Sequence, residues 1–556
     1  MEIFGQEDNP NNLHDDSGEE EIDEAALIQS KFNKSSEEEE GPEIKVMDWK
    51  SYRIVDPESG QFKTIQDAIN SVPEGETTMV PIHINSALYK EKITIINKSV
   101  SLEVKDLNSE VYISGEKGAT IYIDNDPQYK VEIRKLKLSF KGTPTAEATQ
   151  DRPSTGESKA QESQDESIDC STLSDCYKQY RSTIIGDDSH CIIKLKRGSL
   201  AMIDCNLNLD LIVKNFKNDI TSITVLEDGY LEMVSSEVRG KIDVDCLGLY
   251  VDRGNVKMKD ILFRDFKKGA VIFNSKKENK NLIDMCTVTY NKTVGIMLLG
   301  DNKQTLIRRS QIERNECPGI QIMPGNKSII RENKIHVNTH GIKIKSADPV
   351  ISQNEITENY RCGIKCGSVK TNSTCNGRAR GESVSLPLTP LIIYNKIVAN
   401  KEHGVHCYGQ NNYSKICKNE ILNNSMCGVK TQTEATPLIK ENIISSNNCQ
   451  GILLVEESWA TIIGNKIFEN CKANIALGGN NSSNTFISGN EITRGLAEGI
   501  FIIKSARVTV FNNTIEQNQD GVILAESHAE LKSNRINHNA KHGIFLLQNS
   551  KPTVLD

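Results

Sequence analysis

The chain has 556 residues, of which 37% are hydrophobic but only 5% aromatic, a composition that disfavours a core of large rings and suits small aliphatic side chains. The formal charge of −9 resides in residues 1–45, where fifteen acids meet three lysines; the remainder is close to neutral and has no basic stripe interleaved with aromatics, which argues against nucleic-acid binding. No apolar run reaches the ~18–20 residues that cross a bilayer, Met1–Pro10 does not read as a signal peptide, and fifteen cysteines lack a compact disulfide spacing, so reduced thiols in a cytoplasmic or nuclear setting are expected.

Residues 1–45 carry Glu19–Glu21 and Glu37–Glu40 with too few apolar side chains to offset ordering entropy, and are expected to be a disordered acidic tail. Residues 46–141 read as an N-terminal cap and the first coils. In Phe62–Pro73 the side chains Ile65, Ala68, Ile69 and Val72 fall on one face of a short helix that Pro73 and Gly75 stop, and strands follow at Pro81–Asn85 and Lys92–Ile96. Such a helix can cover the open edge of the first sheet layers. Residues 142–182, rich in Ser, Thr, Glu, Gln and Asp, read as a disordered loop inserted into a structured domain.

The strongest pattern occupies 183–556. Asn, one residue, then Ile recurs at Asn333/Ile335, Asn354/Ile356, Asn395/Ile397, Asn419/Ile421, Asn442/Ile444, Asn465/Ile467, Asn490/Ile492, Asn513/Ile515 and Asn534/Ile536. The asparagines are 21, 41, 24, 23, 23, 25, 23 and 21 residues apart, and the long gap holds a polar insertion at about 367–387. Most units add a second Asn and then a Gly followed by Ile or Val, as in Asn338/Gly341 and Asn424/Gly428, with weaker versions at Asn291/Gly295 and Asn315/Gly319.

A unit of about 22 residues with short strands and Asn or Gly corners is one coil of a right-handed parallel β-helix, an all-β, single-stranded solenoid. Asn tolerates left-handed corners and can bond its amide to the Asn one coil away. Ile and Val then alternate inward and stack in files. Roughly 20 coils at ~4.8 Å would make a rod near 95 Å long. A leucine-rich repeat is the rival, since Ile462-Ile-Gly-Asn465-Lys-Ile467 fits its core, but a second strand follows at once in Gly451-Ile-Leu-Leu-Val455.

These repeats resemble those of right-handed parallel β-helix repeat proteins with a pectin lyase-like fold, including the β-helical part of F-box-only ubiquitin-ligase adaptors, well over about 280–556 and more weakly over 190–280. The resemblance implies a β-helix that recognises protein substrates for ubiquitin ligation. Over 53–104, Phe62–Pro73 followed by Tyr89-Lys-Glu91-Lys-Ile-Thr-Ile is similar to the start of pectin methylesterases, which implies a carbohydrate-active alternative. Those esterases assemble an Asp pair, glutamines and an Arg. The nearest piece here, Asp260-Ile-Leu-Phe263, lacks the family's following Gly, and Asp260 falls where a ladder corner is expected.

Asp187-Asp188 is similar to the paired aspartates of polygalacturonases, but the other members of that set are missing, so a solvated corner is the expectation. His340, Cys362, His403, Cys427 and Gln450 precede successive repeat glycines. They are expected to be exposed corner residues rather than zinc ligands, because groups ~4.8 Å apart along a line cannot surround one ion.

The positions two residues after the Gly should face outward: Gln321, Lys343, Lys365, His406 and Lys430, then Leu453, Phe501, Ile523 and Phe545, extended by Lys345 and Tyr408 and by Val455, Ile503 and Leu547. One face would thus pass from basic to apolar. Either loops cover the apolar half, or the strand turns inward there, or the strip binds a protein, with the acidic tail as an internal competitor on the basic half. With no complete catalytic set and no cofactor or metal implied, the leading expectation is a non-enzymatic protein-binding scaffold or substrate-recognition adaptor. The alternative is a pectin esterase- or polygalacturonase-like enzyme or carbohydrate-binding β-helix.

Overall fold

The computed structural model describes residues 52–105, 110–141, 184–186, 189–209, 212, 219–368, 370–372, 383–479, 485–504 and 508–555. The acidic tail, the low-complexity segment 142–182 and Asp187 lie outside them.

The described chain is an all-β right-handed parallel β-helix of about 16 turns, fewer than the 20 expected from the repeat length. At ~4.8 Å per layer the rod is about 75 Å long. Each coil contributes one strand to each of three parallel stacks. Ile342–Lys345 pairs with Ile364–Gly367, Val350–Ser352 with Leu391–Ile393, and Glu355–Thr357 with Lys396–Val398. Within the second of these coils, between Ile364–Gly367 and Leu391–Ile393, the insertion contains an antiparallel hairpin, Lys370–Asn372 with Ser383–Ser385.

The repeat isoleucines form inward files. Ile335, Ile356, Ile397, Ile421, Ile444, Ile467, Ile492 and Ile515 are in direct register and fully buried. Each such side chain contributes about 1.5–3 kcal/mol of burial. Outside this file, Lys334, Glu355, Lys396 and Glu420 alternate in sign from coil to coil, so like charges are kept apart.

Two asparagine ladders run along the corners. Asn354 Nδ2 donates to Asn395 Oδ1 at 2.9 Å and Asn395 Nδ2 to Asn419 Oδ1 at 3.0 Å, while Asn359, Asn400, Asn424 and Asn447 form the second ladder. The left-handed corner is not the ladder Asn, as expected, but the residue before it: Glu332, Gln353, Tyr394, Lys418 and Glu441 have φ of 57°, 56°, 57°, 53° and 55°. The left-handed residue turns the chain with its side chain outside, and the next residue is then placed to turn its amide inward. Asp260, at φ 58°, belongs to this outer series, and Ile261 takes the ladder position behind it.

The cap helix α1 (Ile65–Asn70) buries Ile65, Ala68 and Ile69, as the apolar spacing requires. Thr64 accepts from the Asp67 N–H at 3.1 Å, and the Glu91 carboxylate accepts from the N–H groups of Ile65 and Gln66, both at 3.0 Å. Among the described residues this is the only helix longer than a single turn, so no helices line a convex face and the leucine-rich-repeat rival is excluded.

Candidate binding face

Five consecutive strands, β1 (Ile320–Ile322), β2 (Ile342–Lys345), β3 (Ile364–Gly367), β4 (Val405–Tyr408) and β5 (Val429–Gln432), carry the face. Alternation turns Ile342, Ile364, Val405 and Val429 into the core and sets the next residue of each strand outward. Register places Gln321, Lys343, Lys365, His406 and Lys430 in one file. The file continues through Leu453, Ala476, Phe501, Ile523 and Phe545, with Ala476 as the member that the Gly spacing did not reveal. The strands do not turn inward at the apolar half.

Exposure along the file is uneven. Lys343, Lys365, Lys430, Leu453 and Phe501 are half-buried and Phe545 is exposed, but Gln321, Lys345, His406 and Ile523 are buried rather than outward-facing in solvent. Flanking residues Val455 and Ile503 are half-buried and Leu547 is exposed. Toward the N-terminus the same file runs into Met297, Ile272 and Tyr250, which are buried beneath Ile184 and Ile185. Lys194 pins that strap: its Nζ donates to the carbonyls of Ile185 at 3.0 Å and Gly186 at 2.7 Å. The basic stretch is therefore bounded by the chain's own strap on one side and by apolar residues on the other.

The column His340, Cys362, His403 and Cys427 is buried, contrary to the expectation of exposed corners. Its histidines cap the coil: His340 Nδ1 accepts from the Cys362 N–H and His403 Nδ1 from the Cys427 N–H, both at 3.2 Å. An accepting Nδ1 fixes the neutral tautomer with the proton on Nε2. Burial, reinforced by Lys365, pulls His340 down to about 2, and burial with Lys430 and Lys365 pulls His403 down to about 4. Burial with His403 and Lys365 lowers His406 to about 3. Lys365 is lowered by burial as well. The Cys362 thiol, which donates to Glu402 Oε2 at 3.3 Å, is pushed up to about 12 by burial and that carboxylate. Among the described residues, no three His, Cys, Asp or Glu side chains are grouped as a metal site.

Two polar atoms on the face, Gln321 Oε1 and His406 Nε2, are buried with no hydrogen-bond partner in the protein. His403, His406 and Tyr408 form an aromatic run with centroids 5.3 and 5.5 Å apart, and the Lys365 ammonium lies 5.3 Å from the Tyr408 centroid. A second groove, of about 420 Å³, is lined by Asp204, Ser235, Glu237 and Asp260. Ser235 Oγ donates to Asp260 Oδ2 at 3.0 Å, and the lining includes neither glutamine nor arginine, so the esterase set is not assembled there among the described residues.

Residues 243–378 match the family model described as right handed beta helix region, and residues 428–555 match that of the periplasmic copper-binding protein NosD. A "Probable pectinesterase/pectinesterase inhibitor 23" of Arabidopsis thaliana is 52% identical over 40 residues, so the chain spans only 7% of that relative's length. Similar solved structures include the periplasmic alginate epimerase AlgG, at 10% identity and TM-score 0.32 over 64% of this chain and 80% of that one. A pectin methylesterase in complex with a hexasaccharide is 11% identical with TM-score 0.25, over 62% of this chain and 89% of its own.

Proposed function

We propose that the chain is a binding rod for an acidic polysaccharide, held on the outer face of β2 to β5 by Lys343, Lys365, His406 and Lys430. The observation that carries this reading is the register: His406 stands between Lys365 and Lys430 in one file, so an anionic group over His406 meets a cation from the coil on either side. One coil rises ~4.8 Å, about the length of one sugar residue, so a uronate chain running along the rod can present a carboxylate at every coil. The cations are half-buried, which strengthens their pull on an anion relative to a fully solvated lysine. The 40-residue pectinesterase match supports the carbohydrate reading more than the adaptor reading.

The test is fluorescence anisotropy with labelled oligogalacturonate on the full chain, against a neutral oligosaccharide and a poly-glutamate peptide as controls. Oligogalacturonate should bind, the neutral sugar should not, and Lys343→Glu/Lys365→Glu/Lys430→Glu should lose at least tenfold in affinity with an unchanged circular dichroism spectrum. Equal affinity of the triple variant would sink this reading. Selective capture of the acidic peptide would transfer the face to a protein partner, as a substrate-recognition adaptor requires.

A further inference from the structure

Tyr408 sits at the end of β4, two residues beyond His406, and its register partner on β3 is Gly367. A Cβ built on Gly367 would stand 2.0 Å from Tyr408 Cζ and 2.4 and 2.5 Å from its Cε1 and Cε2. Near-equal distances to the two Cε atoms, both longer than that to Cζ, put Gly367 directly beneath the face of the ring. The ring therefore lies flat on the backbone of the preceding coil. Gly367 is absent from the residues with positive φ, so backbone conformation does not demand glycine there. Close approach of the ring is the remaining physical reason for the missing side chain.

The seated ring is flanked on its own face of the rod. The Lys365 ammonium lies 5.3 Å from its centroid and the His406 ring 5.5 Å away. His406 itself is 9% exposed and its Nε2 has no partner in the protein, an unfilled hydrogen-bonding position beside the ring. Tyr408 remains partly exposed.

We infer that Tyr408, seated on Gly367, is a stacking platform for one pyranose ring of the acidic polysaccharide, whose carboxylate lies over His406 between Lys365 and Lys430. This rests on the acidic-polysaccharide reading and adds a subsite to it. A pyranose offers a flat C–H face that packs on an aromatic face, while its carboxylate reaches the cations alongside. A flexible acidic peptide can satisfy the cations but has no such ring for Tyr408. The platform thereby discriminates uronate sugars from other polyanions of equal charge.

The experiment compares binding of oligogalacturonate and of poly-glutamate to the full chain and to four variants. Tyr408→Phe should bind both probes as the wild type does. Tyr408→Ala should lose about tenfold for oligogalacturonate and nothing for poly-glutamate. Gly367→Ala should reproduce that selective loss by lifting the ring. The double variant Gly367→Ala/Tyr408→Ala relieves the clash and should match Tyr408→Ala in affinity, so a folding defect of Gly367→Ala alone does not hide the answer. Unchanged oligogalacturonate affinity in Tyr408→Ala overturns the platform while leaving the basic face intact. No oligogalacturonate binding by the wild type overturns both.

Discussion

Asn465 Oδ1 accepts two hydrogen bonds from Asn442, one from its backbone N–H and one from its side-chain amide, both at 2.9 Å and both buried. The same amide also donates to the Ile416 carbonyl at 2.8 Å, so one side chain joins three successive coils. Asn442 in turn offers its Oδ1 to Asn419 in the same double fashion. Each rung is therefore both a donor to the next coil and an acceptor for the one before.

Removing a rung should be costly. Asn442→Ala leaves the buried Asn419 N–H and the Ile416 carbonyl without this partner and removes one of the two bonds to Asn465 Oδ1, and should destabilise the rod by about 2–4 kcal/mol. Asn442→Ser should cost less, because a serine serves at the start of the same ladder, where Ser310 Oγ accepts from the Cys286 N–H at 3.1 Å. Urea midpoints of the two variants measure the difference; equal losses would refute the acceptor argument.

The strap over Tyr250, Ile272 and Met297 depends on Lys194. Lys194→Met keeps the stem but leaves the Ile185 and Gly186 carbonyls without that donor, and should cost about 1–3 kcal/mol. Limited proteolysis should show faster cleavage near Ile184, and dye binding to newly exposed apolar surface should rise. A cleavage rate equal to the wild type would mean that apolar packing alone holds the strap.

Acid should weaken the fold before the carboxylates titrate. His340, His403 and His406 have folded pKa values of about 2, about 4 and about 3, against 6.5 when unfolded. The unfolded chain thus binds protons that the folded chain refuses, and stability is full above pH 6.5 and falls as pH drops from there toward the folded values. Between pH 7 and pH 5 the loss should be on the order of 2 kcal/mol for each of the three histidines. His340→Gln/His403→Gln/His406→Gln should flatten that slope in urea titrations at each pH; an unchanged slope would place its origin elsewhere.

Salt should loosen the bound polyanion. Affinity of oligogalacturonate should fall steadily as sodium chloride rises from about 0.05 to 0.5 M, since the screening length drops below ~10 Å above 0.1 M. In Lys343→Ala/Lys430→Ala the residual affinity should depend less steeply on salt. Salt-independent binding would show that contacts other than the lysine file hold the ligand.

Much of this architecture was legible in the chain itself. A hydrophobic residue two places after each ladder Asn, repeated every 21 to 25 residues outside the one insertion, fixes the inward file, and the position two places after each repeat Gly fixes the outward one, because a strand alternates strictly. That is why the sequence alone sets Lys343, Lys365, His406 and Lys430 in one file. The left-handed corner escaped, because Glu332, Gln353, Tyr394 and Lys418 share no side-chain chemistry and their common feature is a backbone angle. Burial of His340 and His403 escaped for a related reason: the N–H that each Nδ1 accepts belongs to a residue 22 or 24 positions on.

The sequence by itself determined the solenoid, its ladders and the order of residues along each file, since all three follow from a period and from alternation within a strand. Only the tertiary structure decided which members of each file are covered and which are left exposed. The seat of Tyr408 on Gly367 and the strap of Ile184 and Ile185 over the outer file both depend on packing between distant segments. Contacts of that kind leave no period in the sequence, because they occur once.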